Sequence, residues 1–208
     1  MQLSCSGVIL AGGLNSRFSG EPKALLSVRG RPILDHISDL FGELFSETVL
    51  VTNDPLKYLA WDLAIITDLF PVRSSLTGIH AGLFHSPTPY VFIAACDTPF
   101  LKKEMVRTIV QCITPGIDVV IPRTANGFEP LCAVYGKRCL KIIERQLANR
   151  ELKTQNFFKH VRIHEIDESM LRQCDPDLLS FYNINTPADL ARVEKSQEKA
   201  IHESSDID

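Results

Sequence analysis

Along this chain short apolar runs alternate with segments of helical period, the pattern of an α/β fold with a mostly parallel sheet. Val8, Ile9 and Leu10 form an apolar run with no polar alternation, as expected of a strand covered on both faces. Between residues 32 and 45 the apolar positions Ile33, Leu34, Ile37, Leu40, Phe41 and Leu44 recur at helical spacing, with Pro32 suited to the first turn. Residues 48–52 and 63–67 read as short strands, and the run from Tyr90 as a longer one ending towards Asp97. Residues 118–122 read as a further buried strand, and Asn126-Gly127 as a turn after it. Residues 101–113 and 137–148 read as helices, the second with Leu140, Ile143 and Leu147 on one face. His160 and His164 stand four apart, but His-Val-Arg-Ile-His is a β-branched alternation, so a strand with solvent-facing histidines is expected rather than a metal pair. A final strand is expected from Phe181, running into a helix start with Thr186 as amino cap and Pro187 at its first position. One domain over 1–199 results, followed by a polar tail, 200–208, expected to be disordered.

Composition narrows the class. With 45% hydrophobic and 23% charged residues in 208, the chain has the make-up of a soluble globular protein. A net charge of −3 argues against bulk affinity for nucleic acid, so any phosphate recognition should be local. No apolar stretch approaches a membrane span, and the first residues lack a charged region leading into a signal-type segment, so a cytoplasmic protein is expected. The six cysteines are scattered through apolar segments without a C-x-x-C pair, a pattern of reduced, packed thiols.

The candidate chemistry begins where the first strand ends. Gly12 and Gly13 follow Leu10-Ala11 directly, and glycine there leaves no Cβ between backbone amides and a bound anion. Arg17 offers a planar fork of donors and Lys23 a point charge, both natural phosphate partners. Gly12, Gly13, Gly20 and Lys23 fit neither the dinucleotide fingerprint nor the P-loop spacing. A bare Ala-Gly-Gly is most often an ordinary surface turn. The longer pattern is more specific: Leu-Ala-Gly-Gly, three residues, Arg17, two residues, Gly20, two residues, Lys23, then Ala24-Leu25-Leu26.

At these residues the chain resembles the Rossmann-like nucleotidyltransferases, and within them the molybdenum cofactor guanylyltransferases. Further segments carry the resemblance: Asp68 followed by Leu76-Thr77-Gly78, Cys96-Asp97-Thr98-Pro99-Phe100, Glu129-Pro130-Leu131-Cys132-Ala133-Val134-Tyr135, and Asn183-Ile184-Asn185-Thr186-Pro187. It covers residues 10–191 and implies a single three-layer domain that transfers GMP from Mg-GTP to molybdopterin, releasing pyrophosphate. The resemblance places Leu10, Ala11, Gly12, Gly13, Lys23, Asn53, Asp68 and Asp97 on the nucleotide, with Thr52 a rival to Asn53. It makes Asp97 the Mg2+ ligand, with Asn183 or Asn185 completing the coordination, and Arg17, Lys23 and Asp97 the catalytic set. Glu129 is a candidate acceptor contact. A collar of Lys137, Arg138, Lys141, Arg145, Arg150 and Lys153 could receive a phosphorylated pterin, or be the solvated face of a helix. A molybdoenzyme or its chaperone is the implied partner.

Two departures keep alternatives open. Ser75 stands where the family has proline, and Glu21-Pro22-Lys23 resembles the sugar-phosphate and cytidylyl transferases more than the guanylyl ones. A cytidylyl or sugar-phosphate transferase, and a non-catalytic nucleotide-binding regulator, are the other readings. For Arg73 the expectation is a solvated loop charge.

Overall fold

The structure, a computed structural model, describes residues 2–12 and 22–192. Gly13, Arg17 and Gly20 and the 200–208 tail therefore lie outside the described residues.

Strand β1 (Ser6–Leu10) is buried at every position, as its unbroken apolar run requires. After Lys23 the chain makes a 3-10 turn (Lys23–Leu25) and a small hairpin, β2 (Ser27–Val28) with β3 (Arg31–Pro32), that the sequence reading did not anticipate. Helix α1 (Ile33–Leu44) follows, then β4 (Thr48–Val51), a 3-10 turn (Pro55–Tyr58), β5 (Ala64–Ile66), α2 (Ser75–His85) and β6 (Tyr90–Ala95). The remainder is α3 (Lys103–Gln111), β7 (Val119–Thr124), β8 (Gly127–Phe128), β9 (Cys132–Gly136), α4 (Leu140–Ala148), β10 (Ile163–Asp167) and α5 (Glu168–Cys174).

The main sheet runs β10-β7-β9-β6-β1-β4-β5, with β8 paired to β7 in a hairpin about Asn126-Gly127, where the sequence reads a turn. β1 is parallel to both neighbours, β4 to β5 and β10 to β7; only β9 and β8 run against their partners. Helices α1, α3 and α5 cover one face, through Phe41, Leu44, Met105, Ile109 and Leu171. Helices α2 and α4 cover the other, with Leu76, Ile79, Leu83, Ile143 and Leu147. Successive residues of β1 divide between these two cores, Ile9 on one and Val8 and Leu10 on the other, which is the three-layer arrangement the sequence predicts.

Two expectations are corrected. No final strand forms after Phe181: residues Leu179–Phe181 make a 3-10 turn, and Ile184 N–H gives a single bond to the Asp97 carbonyl at 2.9 Å. Both edges of β6 are already taken, by β1 and β9, so the segment has no ladder to join there. His160 closes a 3-10 segment (Thr154–His160) instead of opening a strand; only His164 lies in β10, half-buried. Of the basic residues read either as a collar or as a solvated helix face, the first two lie away from the cleft. The register that pairs Tyr90 with Gly136 puts Lys137 and Arg138 at the opposite end of the sheet from Asp97, and Arg138 donates to Asp118 Oδ1 at 2.6 Å. Its guanidinium compensates a buried carboxylate there.

Candidate functional site

At the carboxyl ends of β1, β4 and β6 a cleft of about 380 Å3 opens between Leu10, Gly12, Lys23, Asn53, Asp68 and Asp97. Ligands of open α/β sheets collect at this edge because loops there diverge and strand-end side chains point at one space. Backbone bonds tie the rim together: Ala11 N–H donates to Val51 O at 2.9 Å and Cys96 N–H to Leu10 O at 3.0 Å.

Asp97 stands two residues beyond β6. Thr98, buried, turns the chain back by donating its hydroxyl to Ala95 O at 2.9 Å, so Asp97 is held by its neighbours and does not cap α3, whose cap position is Lys102. Lys23 reaches it from the start of the 3-10 turn, anchored by the fully buried Ala24. The Lys23 ammonium donates to Asp97 Oδ2 at 2.9 Å and to Asn185 Oδ1 at 2.6 Å. Side-chain exposures of 20% and 18% for Lys23 and Asp97 shield this pair far more than a surface ion pair. Asn183 and Asn185 part company here: Ile184 between them is buried, Asn183 is exposed, and Asn185 faces Lys23. Asp189 fixes Asn185 by accepting from the backbone N–H of Asn185 at 3.0 Å and of Thr186 at 2.8 Å, while Asp189 N–H donates to Thr186 Oγ1 at 3.2 Å. That reciprocal pair is the amino cap expected at Thr186.

The other wall holds Asn53 and Asp68. Asn53 Nδ2 donates to Asp68 Oδ2 at 2.8 Å, and Asp68 N–H donates to Asn53 Oδ1 at 3.3 Å. Thr52, the rival, is buried and accepts Asp54 N–H on its hydroxyl at 3.1 Å. Asp54 itself makes no capping bond to the turn after it. Helix α2 points its amino end into the same cleft, with Ser74, Ser75 and Gly78 on the lining. Ser74 and Thr77 form a reciprocal capping box, and Thr77 Oγ1 also reaches Asp68 Oδ2 at 3.4 Å. The sequence reading missed this box because the usual signal is Glu or Gln three residues after the cap, whereas threonine performs the role here. Arg73, expected to be a solvated loop charge, is exposed but stands on the cleft wall, two residues before α2. Its position beside a helix amino end was the available clue.

Glu129 does not line the cleft; it accepts from Thr124 Oγ1 at 3.1 Å, and burial pushes its carboxyl above the usual range. Cys96 does line it, yet the protein packed around the thiol pushes it up to about 12, which leaves it protonated and unreactive at neutral pH. All six cysteines are free thiols. Arg17 and Gly13 lie outside the described residues, so the described cation at the cleft floor is Lys23.

Residues 7–164 match the family described as MobA-like NTP transferase domain. The chain is 46% identical over 189 residues to a protein from Desulfosudis oleivorans named molybdenum cofactor guanylyltransferase, covering 91% of this chain and 94% of that one. It is 30% identical over 188 residues to a protein of the same name from Vibrio cholerae, covering 90% of each. Among solved structures it is similar to molybdopterin-guanine dinucleotide biosynthesis protein A from Archaeoglobus fulgidus, with a TM-score of 0.82 and 28% identity over 93% of this chain and 99% of that one.

Proposed function

The chain belongs to the MobA-like NTP transferase family, and from that premise we propose that it transfers GMP from GTP to molybdopterin with release of pyrophosphate. The observation that carries the reading is the convergence of Asp97, Asn185 and Lys23 at the sheet rim, beside the end of β1 where the glycine loop departs. A carboxylate and an amide oxygen that already meet on one cation are hard oxygen donors, the set that suits Mg2+ completed by phosphate oxygens. Asp97 and Asn185 are thus assigned to hold the metal, with Asn185 preferred to Asn183. When bound, Mg2+ supplies neutralisation of charge on the triphosphate.

The remaining chemistry falls to the chain. An oxygen of the acceptor phosphate attacks the α-phosphorus, and the bond to the β-phosphate oxygen breaks. No side-chain nucleophile is needed. Lys23, with Arg17 from the glycine loop, offsets the negative charge that builds on the leaving pyrophosphate. The amino end of α2 adds oriented N–H donors. Asn53 and Asp68 face the base, where their oxygens can accept from the donors of a guanine edge. Substrates bound across the rim and cleft would have attacking and leaving oxygens held in line, and such positioning supplies much of the acceleration in phosphoryl chemistry. Among the described residues no helix is long and apolar enough to cross a membrane. In this reading the reaction is cytoplasmic and its product passes to a molybdoenzyme or its chaperone.

The test is pyrophosphate release from GTP, CTP, ATP and UTP with Mg2+ and molybdopterin. GTP-selective release, falling by at least about a hundredfold in Asp97→Asn with an unchanged circular dichroism spectrum, is expected. CTP selectivity would replace this reading with the cytidylyl one. Nucleotide binding without release on any acceptor would leave only a binding module.

A further inference from the structure

Lys23 bonds the same two oxygens, Asp97 Oδ2 and Asn185 Oδ1, that the proposed function assigns to a divalent cation. Its ammonium is a compact cation whose donors match hard oxygen acceptors, so it satisfies this pair as a metal would. The two occupants exclude each other. A divalent ion held by these oxygens would stand within a few ångströms of the ammonium, and in a partly shielded cleft that repulsion far exceeds its value in water. Conversely, Asp97 without either cation would be a mostly covered, uncompensated carboxylate.

We infer that Lys23 is a place-holding cation: it competes with free divalent metal for Asp97 and Asn185, so that metal alone enters only in excess, and it yields them readily when a nucleoside triphosphate offers its ammonium another anionic partner. The backbone beneath it is fixed, since Ala24 is fully buried and Leu26 N–H returns to Lys23 O at 3.1 Å. The exchange therefore needs only a swing of the four-carbon side chain. Metal and nucleotide consequently load together, and Lys23 arrives on the phosphates as the oxygens it leaves become available. Lys23 is in this sense a positioning residue for the metal as well as a phosphate contact. The inference rests on the nucleotidyl-transfer reading.

The experiment measures Mn2+ binding without nucleotide, by the loss of the free-ion paramagnetic resonance signal, in the unaltered protein and in Lys23→Met. The variant is expected to bind Mn2+ at least about tenfold more tightly, because the competing charge is gone. Asp97→Asn in the Lys23→Met background is expected to lose that gain. Equal or weaker binding in Lys23→Met overturns the inference. A second measurement needs no variant: acetylation of Lys23, read by mass spectrometry, should rise several-fold as Mn2+ is titrated in without nucleotide, and unchanged labelling once Mn2+ is bound overturns the inference as well. GTP binding to the unaltered protein with Mn2+ is measured alongside. If GTP binds but neither metal response appears, the place-holding role fails alone; if GTP does not bind, the functional reading fails with it.

Discussion

Asp68 is held on several sides: by Asn53 Nδ2 at 2.8 Å, by its own N–H on Asn53 Oδ1 at 3.3 Å, and by Thr77 Oγ1 at 3.4 Å. A carboxylate fixed this way would meet a ligand in the cleft without paying again for side-chain ordering. If its charge reads the guanine donors, Asp68→Ala should cut the preference for GTP over ATP by about 10- to 100-fold, the size of hydrogen bonds to a charged group. Dissociation constants for the two nucleotides decide it; an unchanged ratio would remove Asp68 from base recognition. The residue type and its place after a strand were readable in the sequence. Its bond with Asn53, fifteen positions away, was not, because it depends on β4 and β5 lying side by side.

Helix α2 owes its place to two glycines. A Cβ at Gly82 would lie 2.7 Å from Val8 Cγ1, and one at Gly78 3.2 Å from Leu10 Cδ2, so the helix rests directly on β1 and brings its amino end to the cleft. Gly42, on the exposed side of α1, has nothing within 4 Å of the same position. The same change should then have opposite signs at the two sites. Gly82→Ala is expected to destabilise by about 1–2 kcal/mol net, overpacking against Val8 outweighing the helix propensity it gains. Gly42→Ala should stabilise by about 0.5–1 kcal/mol. Urea midpoints for both variants test this, and Gly82→Ala should also raise the KM for nucleotide through the displaced helix end.

Across the whole molecule, the segment that carries Asn185 is fastened to the loop after Asp97 by a buried carboxylate. Asp175 is fully buried, accepts Ser180 N–H at 2.7 Å and has Lys102 Nζ 2.7 Å away, while Lys102 N–H donates to Ser180 Oγ at 3.1 Å. Burial alone would raise its pKa, but the Lys102 ammonium and the Ser180 bonds outweigh burial and hold it below the usual carboxylate value. The folded state thus binds this proton less readily than the unfolded chain. Its stabilisation is complete above the unfolded pKa of about 4 and is lost as the pH falls through the lower folded value. Asp175→Asn should lower the Tm clearly at pH 7 and progressively less below about pH 4. A Tm difference independent of pH would mean that the charge contributes nothing.

Local patterns determined which residues form most elements. Unbroken apolar runs can be covered only from both sides, helical periods need one buried face, and glycines after a strand mark a chain reversal; each is a property of a few neighbouring residues. Hence the α/β class, the strand before the glycine loop, α1, and the aspartate at the end of β6 were legible. The final strand was not, since Phe181-Tyr182-Asn183-Ile184 has the alternation of a strand, but β6, whose end it meets through Asp97, is already paired on both sides. Residue type equally failed to separate Asn183 from Asn185, or Arg138 from the other cations of the supposed collar. Those choices rest on contacts between residues far apart in the chain: Asn185 meets Lys23 across 162 positions and Arg138 meets Asp118 across 20. Only packing the sheet and its helices into three layers fixes such pairs, because a side chain's partner is set by where distant backbone passes and not by its own chemistry.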